Sequence, residues 1–321
     1  MKSWIALALL AVSGFAQAQT TTQTRVLLDS DRGPILVDLD QTRAPITVAN
    51  FLAYVDAGRY DNMILHRVVK DFVIQGGGYK EDSAPIAKYP DIASERNNGL
   101  FNTPGTLSMA LSNNANGTPN TASADSEFFV NMGTNTILDP NFTVFGRVVY
   151  GMGTLNSINT ITVRTNENHL PIRPPVVKRA VRVPAGTFPI LELHSGGWFD
   201  PAKPGRGFSV EVAKSNDAAG TPLLVAYWYD YFEGKQIWMG GAAPFAWGAS
   251  SVQVPLLIAS GGQFGPGFDP TTVSYDRAWG TLTVKFTACD RATFDYTSAY
   301  GNGSFELRRL TLPNNARCDA N

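Results

Sequence analysis

The sequence predicts a mainly β protein in two parts: a β domain with two helices, followed by an all-β domain of meander or sandwich type. Three observations carry this. Short runs of β-branched and aromatic residues, separated by Gly, Asn, Asp and Pro, recur between Arg25 and Val183. Two segments in that span place apolar residues at helical spacing. Beyond Pro189 the composition turns abruptly aromatic while strand alternation continues.

In chain order, Lys2, the apolar run Trp4 to Val12 and Ala16-Gln17-Ala18 form a charged start, a hydrophobic stretch and a small-x-small cleavage site. Residues 1–18 therefore read as a cleaved signal peptide, and 19–24 as a mobile lead-in. The apolar run is too short to span a bilayer, and no later segment is long and apolar enough to do so. The protein is expected in the periplasm or outside the cell.

Arg25-Val26-Leu27-Leu28-Asp29 and Ile35-Leu36-Val37-Asp38-Leu39 are strands around a turn at Asp31-Arg32-Gly33. Pro45 opens a helix with Val48, Phe51, Leu52 and Val55 on one stripe, and Gly58 ends it. Residues 79–104 read as loop. Leu107 to Ala110, Phe128 to Asn131 and Val144 to Val149 are strands, and Asn113 to Asn120 is a turn-rich loop. Met152, Leu155 and Ile158 mark the second helix, and Val176 to Val183 the last strand, so the first domain covers 25–183.

Residues 184–189 form a linker, and 190–321 the aromatic-rich domain. Phe208-Ser209-Val210-Glu211-Val212 and Leu282-Thr283-Val284-Lys285-Phe286 alternate as strands, and Glu233-Gly234 is a hairpin turn. The pattern Gly197-Trp198-Phe199-Asp200-Pro201, Pro204-Gly205-Arg206-Gly207-Phe208, Tyr227-Trp228 and Trp238 resembles a module of secreted bacterial proteins that carries no activity to transfer. Its ligand is unknown from sequence.

Composition excludes several functions. The chain is 44% hydrophobic with a net charge of −1; that content supports real cores, and with no basic block to neutralise phosphates, nucleic acid is not expected as the main partner. The two cysteines, Cys289 and Cys318, pair as a disulfide in an exported protein. His66, His169 and His194 lack ligand spacing, so no metal is expected.

Function is concentrated in His66-Arg67-Val68-Val69-Lys70-Asp71-Phe72-Val73-Ile74-Gln75-Gly76-Gly77-Gly78. Val73 and Gln75 share a strand face, and Arg67 joins them if the preceding strand lies alongside. Loop rather than helix follows the glycines, against a phosphate cradle. With Gly105-Thr106-Leu107-Ser108-Met109-Ala110, Ser126-Glu127-Phe128-Phe129-Val130-Asn131, Leu138-Asp139 and Val144-Phe145-Gly146-Arg147-Val148, this stretch resembles the cyclophilin-type peptidyl-prolyl isomerases in order and spacing, over about half the chain.

The resemblance implies a closed β-barrel capped by two helices over residues 25–183, and an enzyme that turns X–Pro bonds of exported proteins without a cofactor or metal, its partners being proline-containing polypeptides. It gives Arg67 the role of directing charge at the prolyl nitrogen, with Phe72 and Gln75 beside it as catalytic residues. Phe72, Val73, Phe129 and Leu138 would line a proline pocket, and Gln75 would hold the substrate carbonyl and steady Arg67. Ala110 and Leu111 would offer backbone bonds, and His66 would support the barrel. Three substrate-side positions depart from the family's usual residues: Glu127 stands for glutamine, Leu111 for asparagine and Phe142 for histidine; Ile137 occupies a position that often carries tryptophan, which bacterial members commonly lack. A carboxylate at 127 would be able to occupy the donors of Arg67. The alternative is therefore a low-turnover proline-peptide-binding chaperone or scaffold, docked to the envelope by the C-terminal module.

Overall fold

A computed structural model describes residues 24–216, 220–314 and Cys318; the proposed signal peptide lies outside them. The first pair of strands, β1 (Thr24–Ser30) and β2 (Gly33–Leu39), is the expected hairpin. α1 (Pro45–Asp56) follows, with proline in its first turn, where a missing N–H leaves no bond unmade. It buries Val48, Phe51, Leu52 and Val55. Gly58, just past the helix end, takes the left-handed conformation expected of it.

Four short strands then build the functional region: β3 (Met63–Ile64), β4 (Arg67–Val69), β5 (Val73–Gly76) and β6 (Thr106–Met109). β7 (Phe128–Asn131), β8 (Val144–Tyr150) and α2 (Met152–Ile158) come next. The small hairpin β9 (Val163–Arg164) and β10 (Leu170–Pro171) precedes β11 (Val176–Val183). Sequence patterning does not reveal that hairpin, because two-residue strands carry no period.

The nine-stranded sheet runs β3-β11-β1-β2-β8-β6-β7-β5-β4. Its edge strands, β3 and β4, are consecutive in the chain and separated only by Leu65 and His66. Chain continuity, not a hydrogen-bonded ladder, joins these two edges. The interior is filled by a continuous cluster that includes Phe51, Tyr54, Tyr60, Phe128 and Phe145.

The second sheet resolves the choice between meander and sandwich. β12 (Gly196–Phe199), β13 (Gly207–Lys214), β14 (Pro222–Phe232), β15 (Lys235–Pro244), β16 (Ser251–Gly261), β17 (Val273–Phe286), β18 (Arg291–Ser298) and β19 (Gly301–Arg309) pair in sequence order. Because β19 returns to β12, the meander closes as a barrel, which removes its edges. Alternation divides its aromatics: Trp198, Phe208, Trp228, Trp279, Phe286, Phe294 and Phe305 fill the interior. Tyr227, Tyr229 and Tyr231 point outward from β14. Arg206 of the Pro-Gly-Arg-Gly motif pairs with Asp230 at 3.3 Å and covers the Phe305 ring at 4.8 Å. The motif's arginine thus packs on the barrel's aromatic interior.

Residues 184–189 connect the two sheets, and the connection is packed. Phe188 is buried edge-on against Tyr150, and Leu27, Leu36, Leu191, Leu193 and Cys289 complete a shared apolar cluster. Cys289 and Cys318 are disulfide-bonded, with Cα atoms 5.6 Å apart. Among the described residues, no helix is long and apolar enough to cross a membrane.

Candidate active site

Arg67 owes its place to a tight hairpin. β4 and β5 pair antiparallel with Arg67 opposite Gln75 and Val69 opposite Val73, so one sheet face carries the arginine and the amide together. The turn between them needs Asp71 in the left-handed region (φ 58°). Asn159, at the end of α2, secures it: its side chain accepts from the Asp71 N–H at 2.9 Å and donates to the Asp71 carboxylate at 2.8 Å. The Phe72 carbonyl accepts from Met132 N–H and the Asn135 amide, both at 2.8 Å.

The guanidinium of Arg67 is held at two points. Nη1 donates to Gln75 Oε1 at 3.3 Å and Nε donates to Asn168 Oδ1 at 3.2 Å. Asn168 was not anticipated; it lies in the β9–β10 connection in the left-handed conformation that asparagine tolerates, with φ 52°. Partial burial pulls the pKa of Arg67 below its ordinary value. Its charge is correspondingly less screened than at an open surface.

Glu127 does not meet Arg67 in the way its charge suggested. Its Oε2 accepts from Gln75 Nε2 at 2.8 Å and sits 3.3 Å from His66 Nε2. Burial alone would raise the pKa of Glu127, but His66, Gln75 and Lys88 outweigh it and leave the carboxyl below its usual range. An ionised carboxylate can only accept. It therefore fixes the Gln75 amide with nitrogen toward Glu127 and oxygen toward Arg67. His66 does more than support the barrel, since it anchors the far end of this chain of contacts. Two of the three glycines make room for it: a Cβ on Gly77 would lie 2.3 Å from the Ser126 carbonyl, and one on Gly78 would lie 3.0 Å from His66.

The apolar side of the site assembles from three strands and a loop. β5 lies beside β7 with Gln75 opposite Phe129, and β6 flanks β7 on the other side. Val73 and Phe129 are buried, Phe72 and Leu138 partly so. Phe142 meets Phe129 edge-on at 5.6 Å. Ile137 is instead 79% exposed, on the outer side of the turn that carries Leu138. The Ala110 N–H is taken by the Glu127 carbonyl at 2.8 Å, so a bound chain would meet the Ala110 carbonyl. Leu111 packs half-buried against the core.

Below this pocket runs a buried amide network that individual motifs did not announce. Ser108 Oγ donates to Asn102 Oδ1 at 2.7 Å, Asn131 donates to the same oxygen at 3.0 Å, and Asn135 donates to Asn131 at 2.8 Å. Asp139 closes it by accepting from Asn102 at 2.8 Å. These bonds tie the loop bearing Leu138 and Phe142 to the strands that bear Phe129.

The site can hold an apolar ring beside a fixed cation. A profile of the family described as cyclophilin type peptidyl-prolyl cis-trans isomerase/CLD matches residues 25–182. Peptidyl-prolyl cis-trans isomerase A of Dickeya dadantii is 36% identical over 179 residues, covering 53% of this chain and 91% of the relative. A peptidyl-prolyl cis-trans isomerase of Streptomyces antibioticus is 37% identical over 165 residues, covering 48% and 96%. A crystal structure of a cyclophilin type isomerase from Cryptosporidium parvum aligns with a TM-score of 0.42 and 27% identity, covering 50% of this chain and 97% of that one. By sequence and by the arrangement around Arg67, the chain belongs to the cyclophilin-type peptidyl-prolyl cis-trans isomerases.

Proposed function

We propose that the chain turns X–Pro bonds of exported polypeptides and so assists their folding. The amide resists rotation by roughly 18–20 kcal/mol, because nitrogen shares its lone pair with the carbonyl. Rotation becomes easier when that pair is localised on a pyramidal nitrogen, a state reached mainly at the transition state. A guanidinium held against the nitrogen favours this form over the planar ground state, which is the condition for raising the rate. Phe72, Val73, Phe129 and Leu138 grip the ring so that the acyl side swings.

The single observation that carries this reading is the double tether of Arg67 to Gln75 and Asn168 beside the apolar pocket. Because Glu127 engages Gln75 and His66, the main ground for a low-turnover binder is weakened. Export is supported by the Lys2 to Ala18 pattern and by the Cys289–Cys318 bond. NMR exchange on an Ala-Pro peptide tests the activity. Wild type should accelerate exchange, and Arg67→Ala should lose roughly 10²–10³ in kcat/KM, about 2.7–4 kcal/mol, with its fold unchanged. Equal rates for the two proteins would remove Arg67 from the mechanism.

A further inference from the structure

Beside the arginine lies a cavity of about 350 Å³ whose walls include Ile64, His66, Tyr79, Glu167, Asn168 and Leu170. Two of these belong to the arginine's own fastening. Asn168 accepts from Arg67 Nε, and His66 holds Glu127, which in turn holds Gln75. An occupant of the cavity therefore touches the supports of the guanidinium while the proline occupies the other side.

The lining specifies what that occupant is. Ile64 and Leu170 give an aliphatic wall. The Tyr79 ring is 44% exposed and stands edge-on to His66 at 5.3 Å. Glu167 offers a half-exposed carboxylate whose partner is Arg164, three residues earlier, at 3.2 Å. Exposed pairs of that kind contribute little and exchange partners readily. Exposed Glu81 and Asp82 lead into Ser83, which also lines the cavity. An aliphatic wall, a ring face and a carboxylate at the mouth complement a long basic side chain, whose stem packs while its head stays charged. An acidic guest would meet like charge.

We propose that this cavity is a specificity subsite for a lysine or arginine of the polypeptide, close in sequence to the proline whose bond is turned. The proposal rests on the isomerase reading and names the substrate feature that the site prefers. The guest's cation displaces Arg164 from Glu167, and its stem closes over Asn168.

The test uses the full-length protein and proline peptides carrying Lys, Arg, Ala or Glu at each position from three before to three after the proline. Both kcat/KM, by NMR exchange, and Kd, by calorimetry, are measured. At one position Lys and Arg should exceed Ala by roughly two- to fivefold, the worth of one partly exposed charge pair, and Glu should fall below Ala. Glu167→Gln and Tyr79→Ala should each shrink that ratio, with thermal melts confirming the fold. Arg67→Ala should lower kcat/KM by roughly 10²–10³ while the Kd preference for Lys survives. Equal Kd for Lys and Ala peptides at every position overturns the subsite, as does a preference indifferent to both Glu167→Gln and Tyr79→Ala. Absence of turnover with every peptide would instead fail the isomerase reading, and the Kd comparison would still decide the subsite.

Discussion

Arg67 acts through the company it is given. A free arginine samples many rotamers, whereas here Gln75 and Asn168 hold its head from two directions. Preorganisation of this kind is what lets one cation act on a transition state without reorganising. Gln75→Leu removes one tether and should lower kcat/KM about tenfold, the equivalent of one hydrogen bond to a charged group. Glu127 sits one contact further out. An amide at 127 can accept from Gln75 Nε2 as the carboxylate does, so Glu127→Gln should change kcat/KM on neutral peptides by less than about threefold. A large gain in the variant, measured by the same exchange experiment, would mean that the carboxylate reaches Arg67 during turnover.

At the scale of elements, the site depends on short strands that would be unstable alone. β4 and β5 are held by the Asp71 turn, by Asn159 from α2 and by β7. Asn159→Ala should therefore lower activity by loosening the hairpin, with a smaller effect on global stability than a core truncation. Exchange rates and denaturant midpoints on one sample distinguish the two. In the second barrel, the disulfide closes a loop spanning a separation of 29 residues. The chain-entropy model assigns such a loop roughly 3–4 kcal/mol. Cys318→Ser should accordingly lower the urea midpoint of the barrel, as should reduction of the wild type, and the two losses should not add.

For the whole molecule, the two barrels share surface through β11 and the connecting segment. Arg179 stacks on Trp247 at 3.6 Å, and Ile190 N–H donates to Ala249 at 2.8 Å. We propose that residues 19–183 form an independently folding isomerase unit. Because Leu27, Leu36 and Tyr150 are buried beneath Phe188 and Leu191, that fragment should fold but self-associate, and extension to residue 194 should relieve it. Sedimentation and circular dichroism check both statements. His194 gives the junction a pH dependence. Its ring stacks on Phe286 at 3.7 Å, its Nδ1 accepts from Leu191 N–H at 3.0 Å, and burial, with Arg309 nearby, holds its pKa well below 6.5. Below about pH 6.5 the unfolded chain gains a proton that the folded one refuses, so stability falls as pH falls through that window. Tm should drop between pH 7.5 and 5, and His194→Gln should flatten the slope.

Local chemistry wrote much of this protein into its sequence. Pro45 and Gly58 bracket α1, Asp31-Arg32-Gly33 and Glu233-Gly234 turn hairpins, and alternation separates the inner Trp228 from the outer Tyr227 and Tyr229. Those features depend on backbone preferences and on periods of two or 3.6, which a single chain displays. The motif around Arg67 likewise announced the pairing with Gln75, because residues near in sequence share one hairpin. Long-range contacts carry no such trace. Asn168 reaches Arg67 across a separation of 101 residues, and Glu127 turns to Gln75 and His66 because Gly77 and Gly78 let the chain at Ser126 and Glu127 approach closely. The closing of the meander, the strand order of the first sheet and the burial of Phe188 at the junction were settled the same way. Each follows from which surfaces meet once both chains of strands are folded, and pattern along the chain is silent about that.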